Sequence, residues 1–117
     1  VGADRIFSSG HVINKIGTFT IALVANKFNV PFYVAAPIST FDFNNKVEEV
    51  KIEERKREEI IKFKRYYIAP KDSDVLNLAF DITDPQYIDA IITDYGIINR
   101  PVDINIKKFL KSVQNQA

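Results

Sequence analysis

The hydrophobic pattern changes period between Asn14 and Pro37, and that change restricts the fold more than any other feature of the chain. Ile16, Phe19, Leu23 and Val24, with the small Ala22 and Ala25, recur at helical spacing, which predicts a helix over about residues 14–28. Asn29 tolerates the left-handed conformation that closes a helix. Residues 31–36 are then a nearly unbroken apolar run ended by Pro37, as in a short strand buried on both faces of a parallel sheet. Ahead of the helix, Val1-Gly2-Ala3-Asp4 reads as the end of another buried strand, and Phe7-Ser8-Ser9-Gly10 as a turn. Strand, loop, helix, strand is a βαβ unit. The expected fold is therefore α/β, a Rossmann-like parallel sheet flanked by helices. Such sheets bind ligands beyond the carboxyl ends of their strands, so residues 4–14 and 37–42 are expected to face one crevice.

Lys, Arg and Glu alternate through residues 44–65, with residues 50–55 extended, and this stretch reads as a solvated surface on which Arg55 is the residue to watch. Residues 66–70 are a further strand candidate, and residues 75–81 return the chain to the sheet edge. Asp84 as cap and Pro85 at the first position predict a helix with Ile88, Ile91 and Ile92 as its buried stripe and Gly96 as its stop. An extended piece at 97–99 and a short helix at about 104–113 complete a single domain, residues 1–117.

Sixteen basic against fifteen acidic residues leave a net charge of +1, so no long-range field calls for a nucleic-acid partner. No apolar run approaches the ~18 residues of a membrane span and the N-terminus lacks a signal-peptide pattern, so the chain is expected to work in the cytoplasm, away from membranes. With no Cys, these residues hold no disulfide, thiolate metal site or Cys nucleophile, and the single His11 leaves no His cluster for a metal. The chain has no Met, and no turn or cap precedes the strand end at Val1. It is expected to be the C-terminal segment of a longer protein, removal of an initiator Met before Val1 being the alternative.

Three residues carry the chemistry. Asp4 lies where a strand gives way to a loop; it either serves as a general acid and base or caps the loop or pairs with Arg5. Asn14 and Lys15 open the predicted helix, whose unpaired N–H groups and positive dipole end favour an anion. They either hold a phosphate or merely cap and solvate the helix start, and the Gly17 that follows does not make a Walker loop. His11 reads as a loop-packing residue that would be placed to add a donor.

Together, Val1-Gly2-Ala3-Asp4-Arg5-Ile6, Asn14-Lys15-Ile16-Gly17-Thr18, residues 31–42, Ile52-Glu53-Glu54-Arg55, Ala79-Phe80-Asp81-Ile82-Thr83 and Ala90-Ile91-Ile92-Thr93-Asp94-Tyr95-Gly96 resemble the C-terminal part of the methylthioribose-1-phosphate isomerase family. The wider superfamily includes ribose-1,5-bisphosphate isomerase and the regulatory subunits of translation initiation factor 2B. The resemblance implies an aldose–ketose isomerase of methionine salvage that uses neither metal nor nucleotide cofactor and forms a homodimer. It assigns Asp4 as proton donor and Asn14 and Lys15 as substrate contacts. It also implies that a catalytic Cys and the substrate-holding Arg and Gln residues come from segments upstream of Val1. One departure stands in the loop, where Ser9-Gly10-His11 replaces the family's Asn-Gly-Asp.

Overall fold

The computed structural model describes residues 1–116; Ala117, the last residue of the expected domain, lies outside the described residues. Strand β1 (Arg5–Phe7) turns back into β2 (Val12–Lys15), and helix α1 (Thr18–Lys27) follows. Strands β3 (Tyr33–Ala35) and β4 (Phe41–Asp42) come next. The middle of the chain holds a short helix α2 (Glu58–Ile61) and a small hairpin, β5 (Lys62–Phe63) and β6 (Tyr66–Tyr67). Strands β7 (Phe80–Thr83), β8 (Ala90–Thr93) and β9 (Gly96–Asn99) lead into helix α3 (Val102–Gln116).

A four-stranded sheet has the order β4-β1-β2-β7 and a three-stranded sheet the order β3-β8-β9. The parallel pairs are β1 with β4 and β3 with β8, and antiparallel neighbours flank them. The α/β class holds. The strand end read at Val1 is visible in the backbone, where the Val1 amine donates to the Tyr33 carbonyl at 2.9 Å and Ala35 N–H donates to the Val1 carbonyl at 2.8 Å, but it is not buried, Val1 being 45% exposed, and Asp4 leads into β1 and not into a loop. That alternation is a parallel pairing beside Val34, so the chain passes along β3 before it reaches Asp4.

The core joins both sheets and the helices: Ile6 and Val12 from one sheet, Val34, Ile91 and Ile98 from the other, Ala22 of α1, and Val102 and Ile106 of α3 are all fully or almost fully buried. Strand β3 buries Val34 but leaves Tyr33 49% exposed, so only one of its faces is covered, not both as its apolar run suggests.

Two predicted helix starts are corrected. Asn14 and Lys15 belong to β2, not to the first turn of a helix, because Val12 and Ile13 bury into the sheet and the strand is paired on both sides, Ile13 facing Arg5 on β1 and Lys15 facing Phe80 on β7. Gly17 then takes φ +104° and the helix begins at Thr18. Asn29 closes that helix at φ +56°, as predicted. Asp84 and Pro85 open only a single 3₁₀ turn, Pro85–Tyr87, after which Ala90 and the β-branched Ile91-Ile92-Thr93 form β8. Ile88 and Ile91 are buried while Ile92 is exposed, and Gly96 starts β9 instead of ending a helix. Residues 66–70 contribute only the two residues of β6. The C-terminal helix is present and extends beyond the predicted span.

The turn between β1 and β2 depends on Gly10. Its φ is +87°, and a Cβ there would lie 2.9 Å from the Pro85 Cβ and 3.3 Å from the Asp103 Cα. Gly10→Ala should therefore cost about 1–3 kcal/mol through strained backbone and forced separation of the turn from α3, read as a lowered urea midpoint.

Candidate active site

The β1–β2 hairpin has two ends, and the sequence-selected residues divide between them. Asp4 precedes β1 and Lys15 ends β2, so they share the open end. The strands pair Arg5 with Ile13, and Asp4 N–H donates to the Ile13 carbonyl at 2.9 Å; one more step of that register puts Asp4 across from Asn14. His11 lies at the turn, about 10 Å of strand away.

Asp4 is exposed and makes no ion pair among the described residues. Its neighbour Arg5 pairs instead with Asp42 at 3.6 Å, so the alternative of an Asp4–Arg5 pair is not what forms. The Asn45 side-chain amide, then the backbone N–H groups of Asn45 and Asn44, hold the Asp42 carboxyl below its usual range, with Arg5 adding to the effect. Of residues 37–42, expected to face a crevice with residues 4–14, Ile38–Thr40 form a 3₁₀ turn and Phe41–Asp42 a strand paired to β1, with Ile6 facing Phe41, and none of them lines the cavity at Asp4.

A cavity of about 270 Å³ opens beside Asp4, lined also by Arg5, Ile13, Lys51, Glu53 and Phe80. Of Asp4, Asn14 and Lys15 only Asp4 lines it; Lys15 is exposed, its Nζ 5.9 Å from the centre of the ring of Phe80, which also lines the cavity. Asn14 is half-buried and donates through Nδ2 to the Thr18 hydroxyl at 3.0 Å, which in turn donates to the Lys15 carbonyl at 2.7 Å. Asp4, Asn14 and Lys15 are thus brought to one end of one sheet. Asp4 immediately precedes β1, and Asn14 and Lys15 end β2 instead of forming the first turn of α1.

The helix start is already occupied. Asp81, on β7 opposite Asn14, accepts from Gly17 N–H at 2.8 Å and from Phe19 N–H at 3.1 Å, both on Oδ2. A carboxylate of the chain itself therefore neutralises the N-terminal end of α1, which is the group an incoming phosphate would need. Sequence reading missed this role for Asp81 because the partners are more than sixty residues apart.

A larger cavity, about 560 Å³, lies at the turn end, lined by His11, Asp84, Gln86, Ile88, Arg100 and Asp103 among others. His11 Nε2 is 3.1 Å from Asp84 Oδ1 and its Nδ1 is 2.9 Å from the Ser9 hydroxyl. These bonds tie the turn to the segment ahead of β8, and His11 is the loop-packing residue the sequence suggested. Asp4, Asn14 and Lys15 all lie at the other end of the hairpin.

Arg55 is also engaged within the chain, in a bidentate pair with Glu59 at 2.8–3.2 Å and within 3.7 Å of Glu53. That pair lies on the surface, where the Arg55 hydrogen bonds hold the Glu59 carboxyl below its usual range. Among the described residues no group of three or more His, Cys, Asp or Glu is placed to hold a metal, and no helix is long and apolar enough to cross a membrane.

The model of the initiation factor 2 subunit family matches residues 1–100. Methylthioribose-1-phosphate isomerase of Acetivibrio thermocellus is 52% identical over 110 residues, covering 93% of this chain and 32% of its own length. Among solved structures, translation initiation factor eIF-2B, subunit delta, from A. fulgidus superposes with a TM-score of 0.85 at 50% identity, over 95% of this chain and 32% of that one. 5-Methylthioribose 1-phosphate isomerase from Pyrococcus horikoshii superposes with a TM-score of 0.84 at 41% identity, over 96% and 32%. The chain thus spans about a third of the length of the relatives it matches.

Proposed function

Because the chain belongs to the initiation factor 2 subunit family, we propose that it supplies one side of the pocket of an aldose–ketose isomerase acting on 5-methylthioribose 1-phosphate, as a single Rossmann-like unit of a longer cytoplasmic protein. The observation that carries this reading is the gathering of Asp4, Asn14 and Lys15 at one end of the β1–β2 hairpin, where Asp4 lines a cavity, in a chain about half identical to named isomerases.

The chemistry follows from the substrate. Phosphate on the anomeric oxygen prevents the free ring opening available to a hemiacetal, so an acid has to deliver a proton to the ring oxygen as its bond to C1 breaks. Asp4, in its protonated form, is that donor, and its carboxylate takes a proton back when the ketose forms. One hydrogen moves from C2 to C1 in between, so substrate and product are isomers and no cofactor is consumed. Lys15 supplies a positive charge and Asn14 an amide for the sugar and its phosphate oxygens. The phosphate is not seated on the end of α1, because Asp81 holds that position. The remaining contacts come from the upstream segments that the resemblance implies, and two copies assemble as a homodimer.

A regulatory subunit of the initiation-factor-2B kind is the second reading, favoured by the solved A. fulgidus relative with that name. Fold alone does not separate the two. Full-length protein given 5-methylthioribose 1-phosphate should yield the ketose 1-phosphate, followed by the carbonyl signal in ¹³C NMR, and the 117-residue chain alone should yield none. Turnover of ribose 1,5-bisphosphate instead would move the assignment to that isomerase. No turnover of either sugar, with stable binding to initiation factor 2 subunits, would establish the regulatory reading.

A further inference from the structure

Asn14 and Lys15 stand immediately before a sharp turn, and the turn is held from two sides. On one side the Thr18 hydroxyl donates to the Lys15 carbonyl and accepts from Asn14 Nδ2. On the other, Asp81 Oδ2 accepts both Gly17 N–H and Phe19 N–H. Asn14 and Asp81 are directly opposed across β2 and β7, so their side chains leave the sheet on the same face, toward the start of α1.

Gly17 at φ +104° adds no side chain to this turn, and a Cβ built on it would meet nothing within 4 Å. Gly17 itself thus adds no packing to the turn, whose backbone is also held where Ile16 N–H donates to the Ala79 carbonyl at 3.0 Å. Asp81 supplies its anchor from the neighbouring strand, at a cost: its Oδ1 is buried with no hydrogen-bond partner among the described residues. A carboxylate oxygen is not left unpaired inside a protein without an offsetting gain, and here the gain is two charge-assisted bonds on the other oxygen.

We infer that Asp81 is a positioning residue for the Asn14–Lys15 pair: by clamping Gly17 and Phe19 it fixes where the two substrate contacts point, without touching substrate itself. The inference rests on the isomerase reading for its kinetic consequence and on the hydrogen bonds alone for its structural one.

Both consequences are measured in the full-length protein with Asp81→Ala and Asp81→Asn. Alanine removes both acceptor bonds, and KM for 5-methylthioribose 1-phosphate should rise about tenfold or more while kcat per folded molecule changes less than about threefold. Asparagine keeps one oxygen able to accept the N–H groups, so its KM should lie between those of Asp81→Ala and the parent. Amide hydrogen exchange at Gly17 and Phe19 should accelerate about tenfold or more in Asp81→Ala, with exchange at Ile91 and Ile98 unchanged. A residue that merely stabilises the fold would lower the active fraction and leave KM where it was; that result overturns the inference. Unchanged exchange at Gly17 and Phe19 overturns it as well. If the parent turns over neither sugar phosphate, the isomerase reading fails on its own, and the exchange measurement still decides whether Asp81 holds the turn.

Discussion

Asp4→Asn in the full-length protein should lower turnover of 5-methylthioribose 1-phosphate by about a hundredfold to ten-thousandfold, the usual contribution of a positioned general acid or base, with KM nearly unchanged. The substitution preserves shape and a hydrogen-bonding oxygen and removes only the ability to exchange a proton. The local structure should tolerate it, because the Asp4 side chain is exposed and its own backbone N–H, not its carboxyl, anchors it to Ile13. A fall in kcat with an unaltered melting temperature would therefore be a chemical effect. Turnover unchanged from the parent would remove Asp4 from the mechanism.

The second large effect is on stability. Ile91→Ala should destabilise the domain by roughly 3–5 kcal/mol, the upper part of the range for a buried Ile cut back to Ala. Ile91 is fully buried at the centre of β8, paired with Val34 on β3 and Ile98 on β9, both also buried. With regular strands on both sides, the site has little freedom to collapse around the missing atoms. The neighbouring Ile92 is 41% exposed and offers the control: the same change there should cost about 1 kcal/mol or less. Urea unfolding of the two variants in parallel reads the difference, and equal losses would mean that the side chains do not alternate between core and surface as described.

What could be read in the sequence depended on how local the deciding interaction was. Helix α3, strand β9 and the left-handed Asn29 follow from periodicity and turn chemistry within a few residues, and they appear where expected. The helix predicted to begin at Asn14 fails because β2 is specified by β7, whose residues lie more than sixty positions away. Val12 and Ile13 offer a β-branched start, but only the partner strand decides it. In the same way, Pro85 correctly marks a helical first position, yet the turn stops after Tyr87 because Ala90 to Thr93 pair between β3 and β9. The role of Asp81 has no local signal at all, since its hydrogen bonds join it to Gly17 and Phe19 across that same interval. Asp4, Asn14 and Lys15 were legible as candidates from their positions, and the resemblance assigned them roles. Their arrangement on opposed strands, with the end of α1 taken by Asp81, required the structure.

Ligand is expected to bind at the Asp4 end of the β1–β2 hairpin, and amide hydrogen exchange of the full-length protein with and without saturating 5-methylthioribose 1-phosphate reads where it sits. Protection should appear at residues 4–5 and 14–17 and not at His11, Asp84 or Arg100. Protection confined to the cavity at His11 and Arg100, with residues 4–5 and 14–17 unaffected, would contradict it.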